Sequence, residues 1–202
     1  MASATSSTTS GIHLPDSARE LVKILVAGPF GVGKTTLIDS VSEIRPLHTE
    51  EHLTEASATV DDLAGVRDKS TTTVAIDFGR ISLTGGIVLY LFGTPGQERF
   101  RPLWDDIAYG ALGALVLVDS RRIAASFDVL GLVEESGLPY AVAFNAFPDA
   151  PRHYSEEQLR AALDLDPGTP MVTCDARERD SSLDALLALV QHLIDRHPPE
   201  SR

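Results

Sequence analysis

The residues best suited to chemistry sit together in "GPFGVGKTT", Gly28, Pro29, Phe30, Gly31, Val32, Gly33, Lys34, Thr35 and Thr36. Residues 28–35 fit G-x-x-x-x-G-K-[S/T]. So little side-chain bulk leaves successive backbone N–H groups open to a chain of phosphates. Some positions of such a loop need positive φ, which glycine adopts at little cost. Lys34 is placed to bridge the outer phosphates, and the Thr35 hydroxyl to ligate the accompanying Mg²⁺. The ligand class this predicts is a nucleoside triphosphate. A chance glycine turn is the competing explanation, and the flanking elements decide between them.

The motif requires a strand before it and a helix after it. Both are legible. "LVKILVA" (21–27) is an apolar run of strand length, and "GKTTLIDSVSEI" places Leu37, Val41 and Ile44 at helical spacing. Further along, "TVAIDFGRISL" and "GIVLYLF" flank Thr84-Gly85-Gly86 and read as a β-hairpin. "ALGALVLVDS" and "PYAVAFNA" read as central strands, and "PMVTCDA" as a short one. Helices are predicted after residue 97, over 122–136, from Ser155 in "SEEQLRAALDL", and over a last segment whose apolar stripe is Leu183, Leu186, Leu187, Val190, Leu193 and Ile194. Residues 45–73 show no clean period. The pattern predicts a three-layer α/β/α fold of the P-loop NTPase kind, with about six mostly parallel strands and one antiparallel edge hairpin. One domain is expected over 19–197, between a Ser/Thr-rich tail (1–18) and a short polar one (198–202).

Composition narrows the partners. The 202 residues include 17 Lys+Arg against 29 Asp+Glu, a net charge of −12, which argues against nucleic acid or anionic lipid as a main partner. A single cysteine, Cys174, excludes an internal disulfide and a cysteine-cluster metal site, and its apolar neighbours suggest an inert core thiol. "MASATSSTTS" lacks the basic start and apolar core of a signal peptide, and no apolar run approaches membrane-spanning length. A cytoplasmic protein with no direct membrane insertion is expected.

A second motif, "FGTPGQERF" (92–100), follows the third strand. With the loop at 28–36 it resembles the Ras-like small GTPases. The proline before Gly96-Gln97 is similar to the bacterial MglA-like branch. The stretch from about 20 to 196 resembles actinobacterial conservon GTPases most, through "TTTVAIDFGRI", "GTPGQERF", "LVLVDSRR" and "CDAR". The resemblance implies GTP and GDP as ligands, Mg²⁺ as cofactor, and slow, partner-stimulated hydrolysis in a molecular switch. It implies that Thr73, four residues before Asp77, senses the γ-phosphate through Mg²⁺. Gly96 would offer its N–H to that phosphate, and Gln97 would orient the attacking water. Asn145, Asp149 and Ala176 would read the base. It also implies a roadblock/LC7-type regulator and a sensor-kinase-like protein as partners, with membrane recruitment through them.

The chain departs from that pattern twice. The aspartate that normally holds Mg²⁺ through water is Gly93, with Asp77 and Asp119 as candidate replacements. The base motif Asn-Lys-x-Asp is Asn145-Ala146-Phe147-Pro148-Asp149, its lysine replaced by Ala146 and its aspartate one place late. Two other functions stay open: a nucleotide-binding scaffold with negligible hydrolysis, and an ATP-using P-loop kinase.

Overall fold

Strand β5 (Gly113–Val118) is buried at every position, and β6 (Tyr140–Asn145) at all but its first. A continuous apolar run fits a strand covered on both faces, and helices supply the cover. The computed structural model describes residues 20–54, 71–96, 98–148 and 154–196. The expected tails at 1–18 and 198–202 lie outside these.

Seven strands form one sheet in the order β2-β3-β4-β1-β5-β6-β7. Five of them are β1 (Glu20–Ala27), β4 (Ile87–Gly93), β5, β6 and β7 (Met171–Cys174), whose neighbouring pairs are all parallel. Strand β3 (Thr71–Ser82) pairs antiparallel with β4, as the hairpin reading predicts, through a turn with Gly85 at φ 86° and Gly86 at φ 87°. All six expected strands are present. A seventh, β2 (Leu47–Thr54), pairs antiparallel with the outer side of β3 and occupies the edge.

The faces divide by strand parity. Val22, Ile24 and Val26 of β1 join Leu37, Ile38 and Val41 of α1 (Lys34–Val41) and Ala185, Leu186 and Leu189 of α5 (Arg179–Arg196). Leu25 and Ala27 join Trp104 of α2 (Trp104–Ala108), Leu130 and Val133 of α3 (Phe127–Glu135), and Leu159 of α4 (Glu156–Ala162). The Trp104 ring is buried and its Nε1–H donates to Ser136 Oγ, so it is a core residue. Helix α4 begins with a capping box in which Ser155 and Gln158 satisfy each other's backbone N–H groups.

Two helical details differ from expectation. Helix α1 ends at Val41, so Ile44 lies beyond it. In α5, Leu187 and Ile194 are exposed and the buried line runs through Ser182, Ala185, Leu186 and Leu189. Small residues face α1 there: Ser40 Oγ donates to Ser182 Oγ at 3.0 Å, and Arg179 donates to the Ser40 and Val41 carbonyls at the end of α1. Close approach of two helices selects small side chains over leucine.

Candidate functional site

The parallel strands bring their carboxyl ends to one edge, where open α/β sheets bind ligands. The loop after β1 lies at this edge. Gly28, Gly31 and Gly33 take φ of 145°, 74° and 106°, which side chains rarely tolerate. A Cβ at Gly28 would lie 2.6 Å from the Leu117 carbonyl, and one at Gly33 2.6 Å from Asn145 Nδ2. Gly28 and Gly33 are therefore required by close packing as well as by φ, and Gly31 by φ alone. Pro29 and Val32 are buried, while Phe30 projects into solvent, 67% exposed.

Helix α1 starts at Lys34 behind Gly33, which offers no side-chain cap. Its first helical bond is donated by Leu37 to the Gly33 carbonyl. The N–H groups of Lys34, Thr35 and Thr36 are thus those a helix leaves to acceptors outside itself, at the end that favours negative charge. Lys34 folds over the loop, its Nζ donating to the carbonyls of Gly28 (2.8 Å) and Pro29 (2.9 Å). Burial pushes its ammonium down to about 8, and the Asp77 carboxylate works against that fall.

Gly96 touches this cradle. A Cβ there would lie 2.6 Å from the Phe30 nitrogen and 2.7 Å from Lys34 Nζ. The preceding Thr94 is buried and anchored by its N–H to the Val26 carbonyl. Sequence reasoning paired Gly96 with the phosphate loop, and the two are in contact.

Beside the loop, the Thr35 hydroxyl donates to Asp77 Oδ2 at 2.5 Å. Asp77 stands opposite Gly93 in the β3–β4 register. Asp119, the other candidate replacement, is fully buried at the end of β5 and committed elsewhere. Arg121 donates to both its carboxylate oxygens, and Arg122 lies 3.6 Å away. Burial opposes the Asp119 charge, yet these bonds and the two arginine charges hold its pKa below the usual value.

At the base end, Asn145 is buried and uses both ends of its amide. Nδ2 donates to the Val32 carbonyl (2.8 Å), and Oδ1 accepts the Ala176 N–H (3.0 Å). The Ala176 N–H, expected to face a base carbonyl, is thus directed at Asn145. Ala146 is exposed. Hydrogen bonds from Arg177 hold the Asp175 carboxyl down at about 2.

Two residues with a place here were missed as site residues. The Arg121 guanidinium lies 3.7 Å over the Phe147 ring, and Arg122 Nη2 donates to the Phe30 carbonyl at 3.2 Å. Their signal was an Arg-Arg pair directly after a central strand. Of the remaining expected residues, Gln97 and Asp149 lie outside the described residues. The Thr73 backbone is in β3 in register with His52, about 13 Å along the strand from Asp77 at ~3.3 Å per residue. Among the described residues no cluster of three or more His, Cys, Asp or Glu could hold a metal, and no helix is long and apolar enough to cross a membrane.

Sheet order, glycine loop and capless helix together define a P-loop NTPase fold of the G-domain type. Solved structures agree. The G domain of the T. maritima FeoB iron transporter superimposes with a TM-score of 0.59 at 18% identity, over 86% of this chain and 99% of that one. The cytosolic domain of that transporter in its GMPPNP form gives 0.60 at 19% identity, over 85% and 64%. Residues 26–196 match the family described as conserved hypothetical ATP binding protein, and the chain belongs to that family. An uncharacterized protein of Methanocaldococcus jannaschii is 30% identical over 63% of this chain and 71% of its own length. The Ras-related protein Rab7 of Glycine max is 28% identical over 80% and 68%.

Proposed function

We propose that the chain is a GTP-binding switch with slow, partner-stimulated GTP hydrolysis in a bacterial signalling system. The observation that carries this is the contact of Gly96 with Phe30 and Lys34. A segment touching both the cradle and the lysine that carries the terminal phosphate must respond to that phosphate. Gly96 leads directly into the 3-10 turn at Glu98–Leu103 and α2, so nucleotide state reaches the surface by a short path. Similarity to a Ras-related protein supports guanine, while the family's description speaks of ATP.

In this proposal the loop N–H groups and Lys34 stabilise charge on the phosphates, Gly96 donates its N–H to the γ-phosphate, and Gln97 positions the water. The donor set suits a hard cation, since an exposed hydroxyl stands beside a carboxylate. Mg²⁺ would be held by Thr35, and when bound it neutralises charge between the outer phosphates; Thr73 would join it only after β3 rearranges, because its backbone lies about 13 Å along the strand from Asp77 at ~3.3 Å per residue. Asn145, Asp149 and Ala176 select the base. A roadblock/LC7-type regulator and a sensor-kinase-like protein are the proposed partners, through which a cytoplasmic protein reaches the membrane.

The test is to identify by mass the nucleotide carried through purification, and then to follow single-turnover phosphate release from GTP and ATP. Guanine nucleotide in the pure protein, with GTP cleaved above a Lys34→Ala control, is expected. Binding of ATP alone would overturn the guanine assignment. Binding without cleavage, with and without a roadblock partner, would make the chain a scaffold.

A further inference from the structure

We propose that Arg122 is a positioning residue for the phosphate loop, strengthening the loop's hold on a polyphosphate through the Phe30–Gly31 peptide without touching the ligand. The inference rests on the loop being a nucleotide site, as proposed above. Arg122 Nη2 donates to the Phe30 carbonyl at 3.2 Å. A Cβ at Gly31 would lie 3.7 Å from the same nitrogen, so the guanidinium lies against this one peptide unit. Its aim is built in from the end of β5. The fully buried Asp119 carboxylate lies 3.6 Å from Arg122 Nε and is itself fixed by Arg121. The Arg122 backbone is pinned on both sides: its N–H donates to the Asp119 carbonyl (2.9 Å), and its carbonyl accepts the Ala125 N–H (3.0 Å). Arg121 turns the other way, onto the Phe147 ring.

A peptide unit is polarised as a whole. A cation at the Phe30 oxygen draws electron density through the unit and makes the Gly31 N–H a stronger donor. Among the described residues no acceptor takes the Gly31 N–H, and Gly31 is exposed. Lys34 treats the two preceding units in the same way, donating to the Gly28 and Pro29 carbonyls. Consecutive loop carbonyls, Gly28, Pro29 and Phe30, thus all accept from cations, and Arg122 completes the row from another element. The half-exposed guanidinium also adds positive charge behind the loop.

The contact can be read directly in full-length protein carrying ¹³C-carbonyl phenylalanine and ¹⁵N-glycine. The chain has three Phe–Gly pairs, Phe30–Gly31, Phe78–Gly79 and Phe92–Gly93, so the last two serve as controls. Phe30→Leu, at an exposed position, identifies the first cross-peak by its loss. Without nucleotide, Arg122→Ala should move that peak upfield in both the carbonyl carbon and the amide proton, leaving the controls in place. Fluorescent GDP and ADP should both bind about three- to fivefold more weakly, the scale of one half-exposed charge acting on another. Arg122→Lys keeps a cation within reach of the carbonyl and should restore both affinities to within about twofold of wild type. The melting temperature of nucleotide-free Arg122→Ala should fall by at most ~4 °C, because water reaches the exposed Phe30. An unmoved Phe30–Gly31 peak, wild-type affinity in Arg122→Ala, or an equal loss in Arg122→Lys overturns the assignment and leaves the nucleotide site standing. A wild-type protein that binds neither nucleotide removes the site itself, and this outcome is distinguishable because the peak is read without ligand.

Discussion

The phosphate end and the base end of the site are built differently. At the phosphate end the contacts come from backbone: three glycines at positive φ, a capless helix start, and one lysine folded over the loop. At the base end they come from side chains, and those are altered. Asn145 is turned inward to brace Val32 and Ala176, Ala146 stands where a covering lysine is expected, and Arg121 stacks on Phe147. Backbone recognition depends on conformation and tolerates few substitutions. Side-chain recognition can drift one residue at a time, because each contact is separable. In the proposed switch, most contacts to the polyphosphate and most contacts to the base therefore belong to different residues and can be tested separately, with Gly33 and Asn145 as the points where the two ends meet.

The sharpest separation comes from Lys34→Ala. Affinity for GTP and ATP alike should fall about thirtyfold or more, in line with the ~2–5 kcal/mol that follows loss of one partner of a buried charge pair. Removing Lys34 relieves a charge that burial opposes but leaves the Gly28 and Pro29 carbonyls without their donor, so the melting temperature without nucleotide should fall by only a few degrees, about 1 kcal/mol at roughly 2–4 °C per kcal/mol. Fluorescent-nucleotide titration and a melting curve check the two halves; a nucleotide-dependent loss of only a few-fold breaks the comparison.

Gly33→Ala strikes both ends at once. Its φ of 106° and the 2.6 Å approach of its new Cβ to Asn145 Nδ2 should cost about 2–4 kcal/mol, combining strain and overpacking. Calorimetry should show a melting temperature lower by roughly 5–15 °C for a domain of this size. An unchanged melt would mean the loop is not held in this conformation.

Asn145→Ala should cost about 1–3 kcal/mol by leaving the Val32 carbonyl and the Ala176 N–H without their partner. Urea denaturation reads this directly. If stability is unchanged and only base preference moves, Asn145 is a base reader and not a brace.

The mildest change, Ala146→Lys, sharpens the contrast. It restores the missing residue of the base motif at an exposed position. GTP affinity should rise by up to about tenfold, on the scale of ~1 kcal/mol for one added hydrogen bond, with ATP affinity unmoved. Equal gains for both would show that the lysine acts as bare charge.

What could be read from the sequence follows the same division. The cradle was legible because its determinants are consecutive, residues 28–36, and the strand and helix beside them carry strong periodicity. Asp77 and Asp119 could not be ranked, because the choice depends on the β3–β4 register and on Arg121 closing back on Asp119. The Arg121–Phe147 stack joins two loops separated by β6 and α3, which no local pattern reports. Strand β2 was invisible because "LHTEEHLT" has few apolar residues, and its order comes from backbone pairing with β3. The α5 stripe was legible through Leu183, Leu186, Val190 and Leu193, which meet the core, but Ser182 and Ala185 on the buried line were not, because small residues give no hydrophobic signal.

Asn145 ties three chain segments together through a single planar group: β6, which carries it, the loop after β1, and the turn after β7. Nothing can loosen one of the three without leaving a donor or acceptor stranded in the others. A disturbance at any one of these three segments is therefore felt by the other two through the same amide.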